Sequence, residues 1–281
     1  MKLTCPAPAK LNLFLHVVGR RPDGYHLLQT LFRFINLHDT LHFNVREDGE
    51  IHRTHAIEGV AEAQDLCVRA ARLLQSETGC RLGVDITLEK HIPMGGGLGG
   101  GSSDAATTLI ALNRLWELGL SRNSLMQLGL QLGADVPVFV FGENAFAEGV
   151  GEKLQAYSMP EAWYVVLFPP VHVPTGLIFT HPELTRDSVS ITMRALESQQ
   201  KQLLRNDLQS VVCDLYPEVA NYLASLGKFG EAKMTGSGAC VFAEFADRNE
   251  AEAVLQKLPQ EMRGIIAQGL NKHPLHDWVH E

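Results

Sequence analysis

The sequence predicts a fold of mixed strands and helices in two units, and four observations predict it. The segment "GVDITLEKHI" (83–92) alternates Val84, Ile86 and Leu88 with Asp85, Thr87 and Glu89, the period of a half-buried strand, and Pro93 ends it. A glycine-rich loop then opens onto a stretch where Ala105, Leu109, Leu112 and Trp116 mark one helical face. That helix runs almost directly into another, "SRNSLMQLGLQLG" (121–133), so no βαβ unit closes around the loop. Finally, "YVVLFPP" (164–170) starts a fresh run of elements after the composition shift at 150–163, "VGEKLQAYSMPEAW", which sets an expected boundary between units of 1–157 and 158–281.

The remaining elements follow in order. "LNLFLHVVG" (11–19) and "TLHFNV" (40–45) read as strands, and "DLCVRAARLLQSE" (65–77) as an amphipathic helix. Ser102, Ser103 and Asp104 are the N-cap candidates for the helix after the glycines. In the second unit, "MTGSGACVFAEF" (234–245) is a glycine turn entering a strand, and "RNEAEAVLQKL" (248–258) is a helix. There is no internal repeat and no low-complexity segment.

Composition narrows the class. The chain has 281 residues, 45% of them hydrophobic, enough for a substantial core, and a formal charge of −8, which argues against a general nucleic-acid partner. No apolar run approaches the ~18 residues of a membrane span, and "MKLTCPAPAK" has no apolar leader core, so a cytoplasmic protein is expected. The five cysteines, Cys5, Cys67, Cys80, Cys213 and Cys240, form no CxxC pair and read as reduced thiols. Among the 12 histidines, His38 with His42 and the pair in "HRTH" lack an acidic third ligand at helical spacing, so no dedicated metal site is expected. "HPLHDWVHE" (273–281) reads as a solvated or packed tail.

Three readings of the glycine loop compete. A flexible linker does not join a strand to a helix with a clean start signal. The formal GxGxxG at Gly95, Gly97 and Gly100 suggests a dinucleotide site, but the second strand with its acidic end is missing. A phosphate cradle fits: glycines let backbone N–H groups converge on an anion, and the helix start adds unpaired donors and positive potential. The loop lacks the lysine of a Walker A sequence, having Ser102 after its last glycine, and it leads into a helix rather than the strand of a protein-kinase loop. What remains is an oligophosphate site of backbone donors with the Ser102 and Ser103 hydroxyls.

"PMGGGLGGGSSDAA" (93–106) resembles the phosphate-loop signature of the GHMP kinases, named for galactokinase, homoserine, mevalonate and phosphomevalonate kinases. "PAKLNLFLHVVGRRPDGYH" (8–26) is similar to their N-terminal signature, "KMTGSGACVFAEF" (233–245) to their C-terminal glycine motif, and "LGADVPVFVFG" (132–142) falls in order between them. The block "RRPDGYHLLQT" (20–30) resembles one branch, whose substrate is methylerythritol linked to cytidine diphosphate. The resemblance implies a two-domain α+β fold: an N-terminal nucleotide domain like the second domain of ribosomal protein S5, then a ferredoxin-like domain, with substrate in the cleft between them. It implies phosphorylation of that substrate's 2-hydroxyl by ATP with Mg²⁺. It also implies a monomer or weak homodimer with no nucleic-acid or membrane partner.

The residues carry this chemistry unevenly. Asp135, before Pro137 and an apolar run, reads from the sequence alone either as a turn or helix cap or as a pocket carboxylate; the resemblance makes it the catalytic base. Lys10 alone reads as a surface lysine; the resemblance sets it facing Asp135, keeping that group ionised and stabilising the developing alkoxide, with Asn12 beside it on substrate. ATP is expected along Pro93, Met94, Gly95, Gly96, Gly97, Leu98, Gly99, Gly100, Gly101, Ser102, Ser103 and Asp104. Asp65 lies near adenine, where related sequences tend to carry Asn; a carboxylate cannot donate to a base nitrogen, so that contact is expected to be altered. Tyr25 is expected to stack on cytosine and His26 to hydrogen-bond its edge, with Phe179 covering the other face and Gly236, Ser237 and Gly238 completing the substrate site. Mg²⁺ is expected on the phosphates and water, with Ser103 as the protein side chain offered to it. The rivals are a homoserine or mevalonate kinase, whose acceptors give Tyr25 no base to stack on, and a non-catalytic nucleotide-binding protein on the same fold.

Overall fold

A computed structural model describes residues 1–197 and 204–280. Two long strands dominate it: β1 (Lys2–Arg20) and β2 (His26–Arg46) form an antiparallel hairpin whose pairing shifts register at Pro8/Ala9, Asn12/Leu15 and Val17/Gly19. The turn between them closes because Asp23 Oδ1 accepts from the Tyr25 N–H at 3.2 Å and Gly24 takes φ 92°. After β3 (Ile51–Arg53) come α1 (Leu66–Thr78) and β4 (Gly83–Glu89), then α2 (Gly100–Leu115), α3 (Arg122–Leu132) and α4 (Val136–Phe141). β5 (Ala145–Glu148) and β6 (Lys153–Ala156) close the first unit, and the expected boundary at 157/158 falls between β6 and β7 (Trp163–Leu167). The second unit continues through α5 (Thr175–Thr180), α6 (Met193–Glu197), α7 (Gln209–Leu215), α8 (Pro217–Leu226), β8 (Lys233–Met234), β9 (Val241–Phe245), α9 (Arg248–Lys257) and β10 (Gly264–Leu270).

The strands make one ten-stranded sheet with the path β3-β4-β2-β10-β7-β9-β8, and β1 and β5 also pair with β2. β10 is the seam: Gly264–Gln268 pair with β7, while Gly269 and Leu270 pair with Ile35 and Phe34 of β2. One core lies under α1 to α4 and includes Phe34, Phe43, Leu74, Leu109, Phe139 and Val140; another gathers Val165, Leu208, Val219, Leu226 and Val241 in the second unit. A third joins them: Ala9 and Leu11 of β1, Ile92 and Leu98 of the glycine loop, and Tyr164, Cys240 and Phe242 beyond the boundary. Apolar burial therefore fixes the glycine loop between the two units.

The C-terminal stretch returns to the first unit. Leu275 and Val279 enter its core, and the Arg122 guanidinium donates to four carbonyls, Val140 and Phe141 at the end of α4 and His276 and Val279 of the tail, all within 3.0 Å. Among the described residues no helix is long and apolar enough to cross a membrane.

Candidate active site

The glycine loop leaves β4 at Glu89 and enters α2 at Gly100. Gly95, Gly97 and Gly99 take φ of 69°, 75° and 74°, so every second residue is left-handed, a conformation that turns successive N–H groups toward one side. Gly99, rather than Ser102, Ser103 or Asp104, is the N-cap, and no side chain caps it. The left-handed glycine lets the helix begin before the hydroxyls arrive, so those three residues sit in its first turns. The N–H groups of Gly100, Gly101 and Ser102 thus keep the free donors of any helix start.

The second unit meets three consecutive glycines, one side chain or backbone group to each. A Cβ on Gly95 would lie 2.4 Å from His172 Nδ1, one on Gly96 2.5 Å from Cys240 Sγ, and one on Gly97 2.1 Å from the Thr235 carbonyl oxygen. A backbone bond reinforces the contact, Cys240 N–H donating to Gly96 O at 3.1 Å, while from the first unit Lys10 N–H donates to Leu98 O at 3.0 Å. The glycines therefore meet a packing demand as well as a conformational one.

β1 delivers Lys10 and Asn12 to the loop. Lys10 is buried, and its Nζ lies 3.2 Å from Asp135 Oδ2, donates to Asn12 Oδ1 at 2.6 Å and to Gly97 O at 3.0 Å, and sits 5.5 Å from the Phe32 ring centre. Asn12 is held in turn: its N–H donates to Thr235 Oγ1 and its Nδ2 to Thr30 Oγ1 at 2.9 Å. Asp135 occupies the N-cap position of α4, but its side chain makes no capping bond and keeps 36% of its surface open. The carboxylate is thus free for chemistry, with one oxygen on a buried cation.

A second buried cluster stands behind α2. Lys90 Nζ bonds both Asp39 and, at 2.9 Å, Asp104, while the other Asp39 oxygen accepts the N–H groups of His91 and Ile92. Burial pushes the Asp104 carboxyl up to about 8, against the pull of Lys90 and with the help of Asp39. Burial works against the Lys90 ammonium, but Asp104 and Asp39 outweigh it and raise its pKa. Asp65 is fully committed: Oδ1 accepts from the Cys67 and Val68 N–H groups as the α1 cap, and Oδ2 pairs with Arg53 at 2.9 Å.

These residues surround a cavity of about 700 Å³ between the units, a size suited to a small-molecule site. Lys10, Asn12, Asp65, Pro93 to Ser102, Asp104, Asp135, Phe179, Gly236 and Ser237 line it. Ser103 does not: it is fully buried and donates to Pro8 O at 2.7 Å, so Ser102 is the hydroxyl the first turn presents. Gly238 turns away as well, its Cα facing Met234 and Val212 of the second core. Tyr25 and His26 stand outside the lining. Tyr25 is 64% exposed on its turn, while the His26 ring lies 5.1 Å from that of Phe179, which does line the cavity. Arg186 Nε donates to His26 Nε2 at 3.1 Å, so the ring is neutral and Nδ1 is left to donate. Burial, then Arg186 and Arg20, lowers its pKa and holds it in that form.

The sequence did not point to Thr30, Asp39, Lys90, His172, Arg186 or Thr235. Lys90 ends the strand before the loop, Thr30 closes the segment 20–30 and Thr235 sits inside the glycine motif 233–245, yet none was singled out there; Asp39, His172 and Arg186 come from segments without a local pattern.

Residues 65–143 match the GHMP kinases N terminal domain and residues 185–264 the GHMP kinases C terminal domain. A 4-diphosphocytidyl-2-C-methyl-D-erythritol kinase of Thiobacillus denitrificans is 61% identical over 281 residues, covering 100% of both chains. Its counterpart from Nitrosospira multiformis is 59% identical over 100% of this chain and 95% of its own. A crystal structure of 4-(cytidine 5'-diphospho)-2C-methyl-D-erythritol kinase superposes with a TM-score of 0.81 at 36% identity, covering 95% of this chain and 99% of that one. A mevalonate kinase shares the fold, with a TM-score of 0.69 at 15% identity over 96% of this chain and 100% of its own.

Proposed function

The chain belongs to the GHMP kinase family, and we propose that it transfers the γ-phosphoryl group of ATP to the 2-hydroxyl of 4-diphosphocytidyl-2-C-methyl-D-erythritol, giving the 2-phosphate and ADP in the non-mevalonate route to isoprenoid precursors. The observation that carries this reading is the position of Lys10 Nζ, within 3.2 Å of Asp135 and 3.0 Å of the Gly97 carbonyl. A base, a cation and the phosphate loop thus lie around one point of the cavity. Phosphoryl transfer asks for little more than that alignment.

Asp135 takes the proton from the acceptor hydroxyl as its oxygen attacks phosphorus, and ADP leaves with the electrons of the breaking P–O bond. Lys10, paired with that carboxylate, offsets the negative charge growing on the acceptor oxygen. The loop's N–H groups and the α2 N-terminus hold the polyphosphate. Asn12 orients the acceptor, and Tyr25 and Phe179 flank the cytosine while His26 Nδ1 donates to its edge. Mg²⁺ enters as the counter-ion of ATP. Among the described residues no three His, Cys, Asp or Glu side chains come together to hold a metal, and the cavity's oxygen donors, Ser102 and Asp135, fit such a hard ion shared with phosphate and water. Residues 1–157 form the ATP-binding and catalytic domain and 158–281 the domain that completes the substrate site.

The test is Mg·ATP-dependent ADP release with the diphosphocytidyl acceptor, run beside homoserine and mevalonate. Turnover with the cytidyl acceptor alone is expected. Turnover with either of the others instead overturns the substrate, and ATP binding without turnover on any acceptor overturns the enzyme.

A further inference from the structure

The cavity that must hold a polyphosphate is short of available positive charge. Two lysines line it, and both are engaged: Lys10 by Asp135, Asn12 and the Gly97 carbonyl, Lys90 by Asp39 and Asp104. Asp65 and Asp135 of the same lining are themselves paired, with Arg53 and Lys10, and leave no cation over for a ligand. Backbone donors answer part of that need, but they carry only partial charges.

His172 is the remaining basic side chain among the described residues of the lining. It comes from the second unit, in the loop between β7 and α5, and its ring rests on Gly95 so closely that a Cβ there would lie 2.4 Å from Nδ1 and 2.8 Å from Cε1. The residue is exposed, and among the described residues neither ring nitrogen makes a hydrogen bond. An imidazole set directly on a phosphate-binding loop, open to the cavity and unengaged, is placed to donate to an anion and to carry charge when protonated.

We infer that His172 is a phosphate-binding residue, supplied by the second unit to the glycine loop, whose imidazole donates to an oxygen of a ligand diphosphate. The inference rests on the kinase reading, which brings two diphosphates into the cleft, that of the nucleotide and that of the acceptor. Its position on Gly95 makes it the link through which bound phosphate ties the two units together: the loop's first glycine and the ligand share one side chain from across the cleft.

The test uses the full chain with His172→Ala and His172→Gln. ADP and adenosine are titrated into each protein by calorimetry, and KM for ATP and for the cytidyl acceptor are measured separately. Loss of a hydrogen bond to a charged group corresponds to roughly tenfold or more in affinity. In His172→Ala, ADP affinity is expected to fall by that factor with adenosine unchanged, and His172→Gln, which keeps a donor, to recover part of it. A KM increase confined to ATP assigns the contact to the nucleotide, and one confined to the acceptor assigns it to the acceptor's diphosphate; either supports phosphate binding. Unchanged ADP affinity with both KM values unmoved overturns the inference, as does an equal loss for ADP and adenosine, which marks a disturbed loop. ADP binding is read without any acceptor, so a wrong acceptor leaves wild-type turnover absent while the difference between variants in ADP affinity persists.

Discussion

Replacing Gly97 with alanine separates the two reasons for a glycine there. At φ 75° an L-residue is strained, which costs roughly 1–2 kcal/mol. The added Cβ would also meet the Thr235 carbonyl oxygen at 2.1 Å and its carbon at 3.0 Å, both backbone atoms that no side-chain rotation can move aside. Forcing such an overlap costs about 1–3 kcal/mol more. Gly119 is the matched control: its φ is 64°, and a Cβ there meets nothing within 4 Å. Urea unfolding should therefore show Gly119→Ala losing only the conformational part and Gly97→Ala losing roughly 1–3 kcal/mol beyond it, at similar m. The collision also pushes the loop off the second unit, so Lys10 Nζ and Thr235 Oγ1 lose the Gly97 carbonyl they now hold at 3.0 and 3.3 Å. ADP affinity, measured in the same preparations, should fall in Gly97→Ala and stay at the wild-type value in Gly119→Ala. Equal stability losses in the two variants, with ADP affinity intact in both, would refute the claim that the loop is locked against the second unit.

Other perturbations probe the remaining parts. Asp135→Asn should lower kcat by about 10²–10⁴ while leaving ADP binding unchanged, and single-turnover ADP release that stays within tenfold of wild type removes its role as base. Tyr25→Ala should raise KM for the cytidyl acceptor by roughly tenfold or more, the worth of one stacked base, without moving KM for ATP; equal shifts in both contradict the assignment. His273 is buried, and that burial, helped by His276 and Arg122, lowers its pKa to about 3. The unfolded chain takes up a proton near pH 6.5 that the folded one refuses, so this contribution to stability is full above that pH and is lost toward pH 3, at up to about 1.4 kcal/mol per pH unit. His273→Asn should flatten that limb of the stability-against-pH curve in urea titrations. Arg122→Ala leaves two buried and two partly buried carbonyl groups without their donor and should lower unfolding stability by roughly 3 kcal/mol, read from the urea midpoint.

Elements with a local period were legible in the sequence. The alternation of Val84, Ile86 and Leu88 gave β4, the spacing of Ala105, Leu109 and Leu112 gave α2, and the helices expected at 65–77 and 248–258 lie within a residue of α1 and α9. The long hairpin was legible only in part: the strands expected at 11–19 and 40–45 fall inside β1 and β2, and the rest of both strands was not read. Residues 7–12 of β1 and 29–35 of β2 are buried without alternation, because helices cover one face and the second unit the other, and so the period that marks a strand vanishes. The first-turn hydroxyls looked like caps because serine and aspartate usually are, but a left-handed Gly99 started the helix ahead of them. Within the site, the loop was read as a phosphate cradle from its glycines and the helix that follows, whereas the roles of Lys10 and Asp135 came through motif resemblance. Asp39 went unnamed because it acts on a segment 52 residues away, and Thr235, though inside the motif at 233–245, because its partners Gly97 and Asn12 lie 138 and 223 residues off.

That same distance explains how the site is held. Lys10 is fixed from three directions, by Asn12 on its own strand, by Gly97 on the loop and by Asp135 ahead of α4. Each support is anchored elsewhere: Asn12 by Thr235 of the second unit and Thr30 of β2, Gly97 by the same Thr235, and α4 through its terminal carbonyls by Arg122 and the returning tail. Thr235 therefore touches two of the three supports, and it lies on the far side of the sheet seam at β10. Thr235 thereby couples the second unit to Asn12 and to the Gly97 carbonyl, whereas the Lys10–Asp135 pair is made between two residues of the first unit, so the second unit reaches that pair only through the loop and Asn12.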